Sequence, residues 1–66
     1  QKLAPQMGLE GFVGKEGTAV SEIHAAGKVY IDGEYWDAVS DEPVGKGEKV
    51  AVVEALKGFR LKVKRI

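Results

Sequence analysis

Cysteine is absent from the 66 residues, which removes disulfides, thiolate nucleophiles and cysteine-ligated zinc or iron–sulfur sites together. The same absence leaves the redox compartment open. Histidine occurs once, as His24, and proline twice, as Pro5 and Pro43. A charge excess of either sign is also missing, because ten Lys plus Arg balance ten Asp plus Glu. A generic polyanion binder normally carries a clear basic surplus, so that class is disfavoured. No apolar run approaches the ~20 residues of a membrane span, and no signal-peptide layout is present. The length excludes more still: a chain of 7.1 kDa is one small domain that buries only about 60% of its unfolded surface. Little volume remains for a deep catalytic cavity. Charged residues at 30% and apolar residues at 44% are ordinary globular usage, so disorder is not the default. The chain opens on Gln1, not on Met, and the expectation is a piece of a longer protein.

What the sequence does have is glycine. Nine of them, from Gly8 to Gly58, divide the chain into short runs rich in Val, Ile, Tyr, Phe and Trp, which suit a pleated, half-buried surface. No window sustains the i, i+3, i+4, i+7 spacing of an amphipathic helix; the nearest, residues 20–26, is too short and ends at Gly27. The reading is all-β. Residues 1–7, polar and carrying Pro5, read as a tether, and residues 8–66 as the domain. A first strand is expected over residues 9–23, bent at Gly14 and Gly17. The second covers 28–32 and the third 34–40, joined by Asp32-Gly33, a two-residue hairpin signal because a type I′ turn needs φ > 0 at both central positions. The fourth spans 48–56 and the fifth 59–65, joined tightly at Lys57-Gly58 after the turn-rich residues 41–47.

Those turns fix pairing. With Asp32-Gly33 as the loop, Ile31 faces Glu34, Tyr30 faces Tyr35, Val29 faces Trp36 and Lys28 faces Asp37. Alternation then sends Val29, Ile31, Trp36 and Ala38 to one face, with Trp36 expected in the core, and Lys28, Tyr30, Tyr35 and Asp37 to the other. The later hairpin sorts Val50, Val52, Leu56, Phe59, Leu61 and Val63 inward and Arg60, Lys62 and Lys64 outward. Glu54 falls on the inward set and conflicts with it: either it sits at a barrel mouth or the register is off. Five strands with one apolar face, in a chain too small for a sandwich, predict a small closed barrel, which removes exposed sheet edges. A bent first strand followed by two hairpins is the order of an OB-fold; a small SH3-like barrel is the alternative.

The run GLEGFVGKEGTAVSEI, followed by AGKVYIDGEYWDAVSDEPVGKGEKVAVVEALKGFRLKV, resembles the C-terminal soluble domain of NfeD-family proteins. The family pattern is a glycine-spaced first strand, then G-x-V-x-[IV]-D-G-E-x-[WY]-D-A, K-G-x-x-V-x-V-V and a final G-x-x-L-x-V. Here it falls on Gly27, Val29, Ile31, Asp32, Gly33, Glu34, Trp36, Asp37 and Ala38, then Lys46, Gly47, Val50, Val52 and Val53, then Gly58, Leu61 and Val63. One departure is His24-Ala25-Ala26 before Gly27, where the family commonly has proline. The resemblance implies a five-stranded OB-like barrel attached through its N-terminal side to a membrane-embedded region, on the cytoplasmic side. Longer members carry a serine-protease region upstream. It further implies association with stomatin-like (SPFH-domain) membrane proteins and a non-catalytic interaction module.

Several motifs invite other chemistry. The GxxGxxGxxG run from Gly8 to Gly17 lacks the preceding strand and following helix of a phosphate loop. Glu54-Ala55-Leu56-Lys57 resembles the lysine hairpin of biotinyl and lipoyl carriers, but only nine residues follow Lys57, so the second half of such a domain is missing. Ser21 and Ser40 have no motif around them, and His24 reads as a surface or loop-anchoring residue, so no catalytic residue is assigned. Asp32, Glu34, Asp37, Asp41 and Glu42 are sent to both faces by alternation, so no metal and no cofactor are expected.

The outward set Lys28, Tyr30, Tyr35 and Asp37 is the candidate partner-binding face. Tyrosines on strands two and three match the stacking platform of single-strand nucleic-acid binders. Three carboxylates, Asp32, Glu34 and Asp37, lie beside them against one lysine, and would repel a phosphate backbone. A hairpin-stabilising aromatic pair or a protein-contact patch is the preferred reading. Arg60, Lys62 and Lys64 form the second candidate surface, either a membrane-surface stripe or a guard against edge pairing.

Overall fold

The computed structural model describes residues 9–66; the tether expected over residues 1–7 lies outside them. A single 3-10 turn, Glu10–Phe12, leads into five strands: β1 (Glu16–Ala19), β2 (Lys28–Ile31), β3 (Glu34–Val39), β4 (Lys49–Leu56) and β5 (Arg60–Arg65). They close into a barrel in the order β1-β2-β3-β5-β4, with β1 returning to β4. All neighbours are antiparallel except β3 and β5, which run parallel through Asp37↔Arg60, Ala38↔Leu61 and Val39↔Lys62. This connectivity is the OB-like one, not the SH3-like alternative.

The first strand is shorter than the glycine spacing predicts. Residues 9–15 form the 3-10 turn and a break at Gly14, whose φ is +95°, and regular pairing starts only at Glu16. Gly14 still ties to the sheet, its N–H donating to the Val52 carbonyl over 2.9 Å. Gly17 is a point of close approach: a Cβ there would lie 2.5 Å from Ile31 Cγ1 and 2.5 Å from the Tyr30 carbonyl oxygen. Glycine lets β1 cross the end of β2 at that distance. Beyond Ala19 the chain leaves the sheet, and Ile23 and Val44 form an isolated bridge between the two connections, outside the five strands.

The β2–β3 hairpin has the expected register at all four pairs, Ile31↔Glu34, Tyr30↔Tyr35, Val29↔Trp36 and Lys28↔Asp37. Its loop residues Asp32 and Gly33 have φ of +52° and +86°, as a type I′ turn requires. Val29, Ile31 and Ala38 are buried. Trp36 differs from the core position expected of it: it is half-buried, packed against the core from its edge, with Phe12 meeting it edge-to-face at 5.1 Å between ring centroids. Its indole N–H is buried and meets no acceptor among the described residues.

The β4–β5 hairpin departs from expectation at its tip. Leu56 pairs with Arg60, so the loop has three residues, Lys57, Gly58 and Phe59, and not two. A bulge between Val52 and Glu54 inserts one extra residue on β4. The two changes cancel away from the tip, leaving Val52 opposite Val63, both buried. Near the tip they re-phase the strand: Glu54 moves outside opposite Lys62, and Ala55, opposite Leu61, packs against the core. The conflict at Glu54 is thereby resolved, because a buried, unpaired carboxylate is far costlier than a bulge. Leu56 is only half-buried, and Phe59, expected inside, is 62% exposed.

Ten side chains fill the barrel: Ala19, Ile23, Val29, Ile31, Ala38, Val44, Val50, Val52, Leu61 and Val63. Ile23 and Val44 come from the two long connections and plug one end.

Candidate functional site

Alternation along β2 and β3 leaves the expected outward set on the barrel's outer surface. Tyr30 and Tyr35 are cross-strand partners, 41% and 65% exposed, with ring centroids 5.0 Å apart and planes inclined at 55°. Two residue pairs further along, Lys28 Nζ lies 2.7 Å from Asp37 Oδ1. Both side chains are more than half exposed, so the pair orders the surface more than it stabilises the fold. At the hairpin tip, Lys15 reaches Asp32 at 3.0 Å and holds the turn against the 3-10 segment.

The parallel β3–β5 pairing joins the two candidate surfaces. Because Asp37 faces Arg60 across that seam, Lys28, Asp37 and Arg60 form one lateral row of alternating charge. The next row is Val39, Lys62 and Glu54, and Lys64 follows beside Ala51. Arg60, Lys62 and Lys64 all lie on the outer face, between buried Leu61 and Val63. They are not equivalent. Arg60 donates its Nε–H to the Lys57 carbonyl over 3.3 Å and so lies across the hairpin loop; Lys62 is 3.1 Å from Asp41; Lys64 forms no ion pair among the described residues.

Alternation from buried Val52 already sends Val53 outward, where it is 42% exposed, and the β4 bulge brings Glu54 out beside it. Alternation misses one apolar side chain on this surface. Phe59 is turned out by the three-residue loop and holds a φ of +59°. A bulky aromatic in the left-handed region costs about 1–2 kcal/mol, and nothing in the sequence spacing announces it.

The serines and histidine have loop work. The Ser21 hydroxyl donates to the Glu22 carbonyl over 3.0 Å and accepts the Lys28 N–H over 3.1 Å. Ser40, buried, donates to the Glu42 carbonyl over 2.6 Å. The side chain of His24 is exposed, while its carbonyl accepts the Ser40 N–H over 2.8 Å. No group of three His, Asp or Glu side chains converges among the described residues.

What this geometry offers is a tight barrel with a ridged, aromatic and charge-alternating outer face, suited to contact more than to chemistry. The comparisons with known proteins agree. Among solved structures, the C-terminal domain of stomatin operon partner protein 1510-C from Pyrococcus horikoshii aligns with a TM-score of 0.80 at 38% identity, over 92% of this chain and 97% of that one. The soluble domain of a membrane protein implicated in regulation of membrane protease activity, from Corynebacterium glutamicum, aligns with a TM-score of 0.76 at 25% identity, over 83% of this chain and 92% of that one. No curated protein matches the chain. The model of the family described as the NfeD-like C-terminal, partner-binding domain matches residues 9–65, nearly the whole barrel, and the chain belongs to that family.

Proposed function

We propose that this barrel is the non-catalytic contact module of an NfeD-type membrane protein. It is carried at the cytoplasmic bilayer surface through its N-terminal side and binds a stomatin-like protein. The observation that carries the reading is the family match over residues 9–65. The kinship to a domain named for a stomatin operon, at 38% identity, supports the choice of partner. Within the domain, Tyr30 and Tyr35 with Lys28 and Asp37 form the contact face, and Arg60, Lys62 and Lys64 form a second, separate candidate surface. Two exposed, mutually packed tyrosines present a rigid apolar area at low entropic cost, and aromatics of this kind dominate interface energetics.

The test is isothermal titration with the soluble region of a stomatin-like protein. Tyr30→Ala and Tyr35→Ala should each weaken binding about tenfold or more while the melting curve moves little. Unchanged affinity in both variants removes this face from the account. A second reading, single-strand nucleic acid, draws on the same tyrosines because OB-type barrels stack bases on these strands. Asp32, Glu34 and Asp37 stand against it. A titration with single-stranded DNA at low salt should give no heat; micromolar binding lost in Tyr35→Ala would put nucleic acid first.

A further inference from the structure

The balanced net charge conceals a strong segregation. From Leu9 to Glu42 eight carboxylates face two lysines, a net of −6, whereas the β4–β5 hairpin from Lys49 to Arg65 carries six basic residues against Glu54 alone, a net of +5. Two of these six bases are already paired, Lys62 with Asp41 and Arg65 with Glu48, whereas Lys49, Lys57, Arg60 and Lys64 form no ion pair among the described residues. The hairpin's tip is apolar and strained: Phe59 is 62% exposed, in the left-handed region, with Lys57 before it and the Arg60 side chain laid across the loop. A residue that holds an unfavourable backbone conformation and leaves an aromatic ring in water marks a functional position.

The tip also lies where the chain arrives. Leu9 shares a shallow groove with Leu56 and Phe59, and among the described residues Glu10 is the one carboxylate lining it, with Lys57.

We infer that the β4–β5 hairpin is a lipid-contact finger. Phe59 enters the headgroup boundary of an anionic bilayer while Lys57, Arg60, Lys62 and Lys64 lie over its phosphates and carboxylates. The chemistry is that of interfacial anchoring, an aromatic ring at the acyl boundary ringed by basic residues. The tyrosine face lies beside this surface across the β3–β5 seam, where Asp37 faces Arg60. This inference rests on the reading that the domain is carried at a bilayer.

The cysteine-free chain allows single labelling. The 66-residue chain, held by an N-terminal histidine tag on nickel-chelating lipid, is given an environment-sensitive fluorophore at Phe59→Cys or, at the opposite end of the barrel, Glu22→Cys. On phosphatidylcholine–phosphatidylserine vesicles the label at 59 should shift to the blue and be quenched by lipid-borne nitroxide, and the label at 22 should not. In a sedimentation assay without the tag, Lys62→Glu with Lys64→Glu should lower binding to the same vesicles by about 25-fold or more, each basic residue near an anionic surface contributing about fivefold. A label at 59 that stays silent on vesicles, or responds only to an added stomatin-like protein, overturns the inference. If it is silent while that protein still binds the tyrosine face, the partner reading stands alone. A lipid response without any binding of that protein leaves the finger and removes the partner.

Discussion

The two hairpins of this barrel are built from similar strands and behave differently. In β2–β3 every local signal agrees: Asp32-Gly33 adopts the positive φ values its turn demands, the register follows, and Lys15 fastens the tip. In β4–β5 the signals conflict. Alternation asks for Glu54 inside and Lys57-Gly58 for a two-residue loop; the molecule instead takes a bulge and a longer loop, keeps Val52 against Val63, and leaves Phe59 in solvent. A hairpin whose rules agree is a scaffold for the face it carries. One whose rules conflict resolves the conflict at its tip, where keeping Glu54 out of the core takes a bulge and a longer loop that leaves Phe59 exposed.

The contrast between core and tip can be broken by substitution. Leu61→Ala, at a fully buried position, should cost about 2–5 kcal/mol, enough to unfold most of a small domain; a near-normal denaturation midpoint would mean that β5 does not line the interior. Trp36→Ala removes a half-buried ring that packs on the core and on Phe12, and a loss of about 2–4 kcal/mol is expected in chemical denaturation. The two tips should respond with opposite sign. Gly33→Ala forces a side chain into the left-handed region and should destabilise by about 1 kcal/mol, whereas Phe59→Gly removes one from it and should raise stability by roughly 0.5–1 kcal/mol. If Phe59→Gly destabilises instead, the ring supports the fold and its exposure has no functional meaning. The same variant should lose vesicle binding, a gain in stability at the expense of function. Asp37→Asn opens the exposed pair with Lys28 and should move the melting curve least, by under about 0.5 kcal/mol, with the difference fading as salt is added.

How far the fold is legible follows the range of the interactions. The β2–β3 register could be read from six residues, Val29 to Glu34, because a type I′ loop and strict alternation are local rules. The inward positions of Val50, Val52, Leu61 and Val63 could be read for the same reason. The length of β1 could not. Nothing near Leu9 in sequence says that Gly14 breaks the strand, because what β1 needs is the close crossing at Gly17 over Ile31, a contact with a strand further along the chain. The bulge announced itself only as a contradiction at Glu54.

For the candidate surfaces, both outward sets were legible from alternation, but their continuity was not. It depends on the parallel pairing of Asp37 with Arg60, which joins segments separated by the whole of β4. Phe59 escaped because a two-residue and a three-residue loop read alike around Lys57-Gly58, and the choice between them reverses which way the ring points.

The account turns on the outer face of β2–β3 being the surface that a partner meets. The most direct test is a chemical-shift titration of the isotopically labelled chain with the soluble region of a stomatin-like protein. Perturbations should cluster on Lys28, Tyr30, Tyr35 and Asp37, leaving Lys46 in the β3–β4 connection unmoved. Saturable binding that perturbs Lys46 and spares the tyrosines would contradict the account.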